Sequence, residues 1–129
     1  MRHDGIVSFK DLKVWQLAMR LVEAVYALTK NFPREEAYGL TSQMRRAAIS
    51  IPSNIAEGHT RRGANDYKQF VSIALGSAAE LETQVMLSCN LGYTEKSQTD
   101  SVLLSINEIR QMLQGLRRSL TSYSSKKAA

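Results

Sequence analysis

The stretch SVLLSINEIRQMLQGLRRSLTSY at residues 101–123 decides the fold. Within it Val102, Ile106, Ile109, Leu113, Leu116, Leu120 and Tyr123 recur at intervals that alternate between four and three. That spacing gathers all seven onto one stripe of an α-helix, and a stripe of this width is stable in water only when other helices cover it. The rest of the chain must therefore supply helical partners.

Working back towards the N-terminus, Gly92 supplies a helix stop and Thr94 a cap for the helix just described, so only a short turn separates it from the one before. That third helix starts at Asn65 as N-cap, carries Tyr67, Val71, Ala74, Ala78, Leu81, Val85 and Ser88 on a seven-residue repeat, and runs to about Leu91. A turn this short forces the two helices to lie antiparallel. Further upstream, the loop PREEAYG ends at Gly39, and Thr41 or Ser42 can cap a helix bearing Met44, Ala47, Ala48, Ile51 and Ile55. Pro52 falls inside it and removes the hydrogen bond to the Ala48 carbonyl; because the apolar face continues to Ala56, a kink near Pro52 is expected and not a break. The first helix, predicted over residues 9–31 with Ser8 or Asp11 at its start, carries Val14, Ala18, Leu21, Val25, Leu28 and Phe32, flanked by a second stripe of Leu12, Trp15, Met19, Val22 and Tyr26.

The expected architecture is all-α: an up-down-up-down antiparallel four-helix bundle over residues 9–123, with a flexible N-terminus at 1–8 and a disordered basic tail at 124–129. A length of 129 residues suits one domain, and two prolines and seven glycines are too few for the many tight turns of an all-β fold. Nowhere do 18 apolar residues follow one another, and the N-terminus lacks the apolar core of a signal peptide, so no membrane association is expected. A single cysteine, Cys89, excludes an internal disulfide and suits a reducing, cytoplasmic compartment.

Catalytic chemistry finds little support. The two histidines, His3 and His59, have no second ligand at metal-binding spacing. Ser50, Ser53 and Cys89 lack a nucleophile elbow or a paired base, and the glycines form no phosphate loop. Glu80 and Glu82 stand two apart and project to nearly opposite sides of a helix, which rules out an acid/base dyad. No enzymatic activity, metal or cofactor is implied. Glu80 lies close to the core stripe, and Arg45 or Arg46 of the second helix is its candidate partner in a structural ion pair.

Charge is more informative. The chain carries +5, but residues 65–109 hold a local balance of −4, so the excess sits elsewhere. From Arg110 onward there are five cations and no carboxylate side chain. An up-down bundle brings the ends of its second and fourth helices to one pole. Arg61, Arg62, Arg117 and Arg118, joined by Lys126 and Lys127, are therefore candidates for a phosphate-binding cap; a merely solvated cationic rim is the alternative. The surplus apolar face marks Leu12, Trp15, Met19, Phe70, Ile73, Gly76 and Ser77 as candidates for an oligomer interface, with Gly76 expected where something approaches closely.

Five stretches carry a resemblance: FKDLKVW at 9–15, YGLTSQMRRAA at 38–48, SIPSNIAEG at 50–58, ALGSAAELE at 74–82 and NLGY at 90–93. In this order they resemble the family of four-helix-bundle proteins encoded by intervening sequences within bacterial 23S rRNA genes. The resemblance implies a small bacterial cytoplasmic protein that assembles into a homopentamer and has no enzymatic activity. A related basic bundle, the accessory protein of the reverse transcriptase in diversity-generating retroelements, binds nucleic acid as a positively charged pentamer. The functional expectation is thus a non-enzymatic oligomer associated with RNA or DNA through repeated basic surfaces; the alternative is a scaffold for a protein partner, with incidental charge.

Overall fold

The computed structural model describes residues 8–128, with side chains as far as Tyr123. Four helices account for most of it: α1 at Lys13–Thr29, α2 at Leu40–His59, α3 at Ala64–Asn90 and α4 at Lys96–Ala128. Each packs against its two neighbours, with α1 against α4 closing the ring. The result is the all-α four-helix bundle that the heptads require. The N-terminal segment 1–7 and the side chains of Lys126 and Lys127 lie outside the described residues.

The core is built from the predicted stripes. Ala18, Val25, Met44, Ile51, Ile55, Val71, Ala74, Leu81, Val85, Ile106 and Leu113 are wholly buried, and Phe32 closes the end of the α1 stripe. Along α4 burial declines after Leu113, through Leu116 and Leu120, to an exposed Tyr123. At about 1.5 Å per residue the 33-residue α4 outruns the 17-residue α1, so its last turns lose one of their two neighbours.

Several boundaries differ from expectation for local reasons. Ser8 and Asp11 do cap, but they form a capping box around a 3-10 turn at Phe9–Asp11; extended backbone at Leu12 separates this turn from α1. At α2 neither Thr41 nor Ser42 serves: the helix already starts at Leu40, with Gly39 as its N-cap, and the Glu36 carboxylate accepts from the Leu40 amide at 3.0 Å. Gly63, extended at φ −101°, is the N-cap of α3 in place of Asn65. Helix α2 runs unbroken through Pro52, whose ring is buried. At the end of α3, Gly92 takes φ +80°, the Gly92 amide bonds the Cys89 carbonyl at 3.0 Å and the Tyr93 amide bonds the Ser88 carbonyl at 2.9 Å. This paired pattern terminates a helix in a left-handed residue, a conformation glycine adopts without steric cost.

The close approach expected at Gly76 occurs instead at Gly58. A Cβ on Gly58 would lie 2.8 Å from Phe70 Cβ and 2.9 Å from a Tyr67 ring carbon, whereas one on Gly76 would meet nothing within 4 Å. The α2–α3 seam is therefore narrow, and polar residues of the SIPSNIAEG stretch complete it: Ser77 Oγ donates to Ser50 Oγ at 2.7 Å, and Asn54 Nδ2 donates to the Ser50 carbonyl and hydroxyl at 2.8 and 2.9 Å. Gly58→Ala should lower stability by about 1–2 kcal/mol, because overpacking at this seam outweighs the gain in helix propensity. Urea denaturation, with the midpoint shifted down and the slope unchanged, checks this.

Candidate nucleic-acid interface

The antiparallel register around Gly92 sets two short helical edges opposite each other. On α3, Lys68 and Gln69 are followed one turn later by Ser72 and Ile73; on α4, Arg117 and Arg118 are followed by Thr121 and Ser122. In each case positions i, i+1, i+4 and i+5 share a helix side. Together these residues line a groove of about 720 Å³ that contains three cations, polar hydroxyl and amide groups, and no carboxylate. Arg117 reaches Ser72 Oγ at only 3.4 Å, a weak contact, and neither Arg117 nor Arg118 forms an ion pair among the described residues.

The predicted cap is thus divided. Arg117 and Arg118 face this groove, but Arg61 and Arg62 do not line it. Arg61 folds back onto its own turn, with its guanidinium 2.8 Å from the Glu57 carboxylate and 4.8 Å from the centre of the Phe70 ring. Arg62 is exposed. Lys68 was missed because it belongs to the net-negative segment 65–109. The signal that finds it is antiparallelism: the short turn at Gly92 brings the start of α3 beside the end of α4.

The expected ion pair of Glu80 with Arg45 or Arg46 does not form. Glu80 and Arg46 are exposed, while Arg45 turns towards α1, donating to Thr29 Oγ1 at 2.9 Å and lying 4.4 Å over the Tyr26 ring. The neighbouring carboxylate, Glu82, pairs instead with Arg110 across the α3–α4 seam. Two residues further on, Glu82 lies on the side of α3 that faces α4, which is why the pairing changes hands.

The candidate interface residues fall in three environments. Trp15 and Met19 line a second, largely apolar groove of about 340 Å³ that α2 completes with Ile49, Pro52 and Ala56, whereas Leu12, of the same stripe, is partly buried against the core. Ile73 and Gly76 are exposed on α3, although Ile73 also lines the basic groove. Phe70 and Ser77 are engaged within the chain, beneath Arg61 and against Ser50 respectively.

At the opposite pole a carboxylate ties two loops together. Glu36 accepts from the Leu40 amide and, at 2.8 Å, from the Tyr93 hydroxyl of the α3–α4 turn, beside a Phe32–Tyr93 ring contact. The backbone bond first, then the Tyr93 bond, hold the Glu36 carboxyl below its ordinary value, and the same hydrogen bond raises the Tyr93 hydroxyl. A lowered carboxyl favours the folded state above the ordinary glutamate range and loses that contribution as pH falls through the lowered value. Tyr93→Phe should move the Glu36 titration upward and make unfolding less sensitive to acid, as NMR titration of the Glu36 carboxyl and acid denaturation would record.

Fold and groove together define an all-α antiparallel bundle that presents a concentrated basic cleft near one pole. The sequence matches the 23S rRNA-intervening sequence proteins over residues 10–115, and the chain belongs to that family. Among solved structures, a protein with unknown function from the S23 ribosomal protein family of Bacteroides thetaiotaomicron VPI-5482 has the same fold, with a TM-score of 0.73 and 22% identity over 81% of this chain and 97% of that one. No curated protein matches. Neither comparison carries an enzymatic description. Among the described residues no helix is long and apolar enough to cross a membrane.

Proposed function

We propose that this protein is a cytoplasmic, non-enzymatic oligomer that associates with nucleic acid through repeated copies of the α3–α4 groove. The observation that carries the reading is the convergence of Lys68, Arg117 and Arg118 on one cleft with no carboxylate in its lining. Cations with no carboxylate partner among the described residues are available to phosphates, and arginine's planar fork suits two phosphate oxygens at once. A net charge of +5 on a single chain gives weak binding. Assembly multiplies it, because several grooves on one particle engage one polymer with high effective concentration.

Two surfaces support assembly: the apolar α1–α2 groove around Trp15 and Met19, and the exposed, small-residue side of α3 that runs from Gly76 through Ala79 to Thr83 and on to Met86. Five copies is the number that the family resemblance favours. Light scattering should give a mass several times that of the 14.4 kDa chain. Gly76→Leu has open space within its own bundle, so it should leave helicity intact while reducing that mass; a stable single chain for the unaltered protein would remove the avidity argument.

Titration with RNA and with duplex DNA at two salt concentrations tests the binding itself. Affinity should fall steeply with salt, and the double variant Arg117→Ala, Arg118→Ala should weaken it and reduce the logarithmic salt slope by about 2. No binding at low salt defeats the reading.

A further inference from the structure

The groove is not lined as a simple phosphate rail would be. Beside its cations lies Ile73, with half of its surface exposed, and on the opposite edge is Thr121, whose hydroxyl is turned back to the Arg117 carbonyl at 2.9 Å. An exposed branched aliphatic side chain gains nothing from a phosphate. It offers a dry surface for the face of a base, and the neighbouring guanidinium planes can stack on bases as well as bind phosphates.

Shape points the same way. A double helix is a convex cylinder with its phosphates outermost, and proteins read it by inserting a convex element into its grooves. The α3–α4 groove is instead an open concavity of about 720 Å³ with Ile73 exposed along it, so a flexible strand can lie in it base-first. The bases of a duplex are stacked on one another and offer Ile73 no face. An unpaired nucleotide can enter.

We infer that the α3–α4 groove binds single-stranded nucleic acid, with one unstacked base against Ile73 and the phosphates on either side of it held by Lys68 and by Arg117 and Arg118. This rests on the nucleic-acid reading above and specifies the form that is bound. Gln69, Ser72 and Ser122 supply both donors and acceptors around the base, a mixture that tolerates any base identity.

The test is fluorescence anisotropy of the full chain with a labelled single strand of about a dozen nucleotides and with a hairpin duplex of the same composition, each made as RNA and as DNA. The single strand should bind at least about tenfold more tightly than the hairpin at equal salt. Ile73→Ser should remove most of that preference, weakening the single strand far more than the hairpin, and Ile73→Thr, which keeps the branched shape, should remove less of it. Both variants alter an exposed position, and circular dichroism verifies that they fold. Arg34→Ala, at the opposite pole, should change neither. Equal or tighter binding of the hairpin overturns the inference, as does a single-strand preference that Ile73→Ser leaves intact. Failure of both probes to bind defeats the underlying nucleic-acid reading instead, and the inference with it.

Discussion

Everything that sets this surface apart depends on a single reversal of the chain. Gly92, at φ +80°, ends α3 and returns the backbone into α4 within five residues, so the two longest helices run antiparallel with no freedom to slide. That register places Glu82 opposite Arg110, and at the far end Lys68 and Ser72 opposite Arg117 and Arg118. A residue with a side chain would be strained at this φ, and a longer turn would leave the helices free to shift. Because one helical residue is a rotation of about 100°, inserting or deleting one residue between this turn and the groove would turn the cations out of the cleft.

The α2–α3 seam provides the second constraint. Gly58 lets the Tyr67 and Phe70 side chains lie directly against the α2 backbone; the Ser77–Ser50 hydrogen bond crosses the seam, and Asn54, bonded to Ser50 within α2, holds that hydroxyl in place. Phe70, packed here, receives Arg61 on its other side. The seam thus removes one of the predicted phosphate ligands from the groove, so the basic surface is smaller and better defined than the count of arginines at this pole suggests. At the other pole the Glu36 carboxylate, bonded to the Leu40 amide and the Tyr93 hydroxyl, ties the α1–α2 loop to the α3–α4 turn, so that neither connection depends on core burial alone.

A bundle organised this way separates its surfaces by chemistry. The α1–α2 groove is apolar, the outer side of α3 is built of small and aliphatic residues, and the cations gather on the α3–α4 edge. One surface can meet another copy while a different one stays open to a polyanion. Neither role requires the chain to change shape.

The helices and their partners were legible in the residues, because apolar side chains at intervals of three and four have only one way to leave water together: every member of the Val14–Phe32 stripe is buried, and so are the first four of the α4 heptad. Gly92 announced its turn for a similarly local reason. What the sequence could not decide was which charged groups meet. Glu80 and Glu82 differ by two positions, and only the orientation of α3 towards α4 selects Glu82 for Arg110 and leaves Glu80 exposed. Gly58 and Gly76 are both helical glycines, and only the distance to the neighbouring helix separates a tight crossing from an open face. Lys68 joins Arg117 and Arg118 across a sequence separation of some fifty residues. Hydrophobic periodicity is a property of one helix and can be read along the chain; the pairing of charges and the width of a seam belong to two helices at once, and exist only when their rotation and register are set.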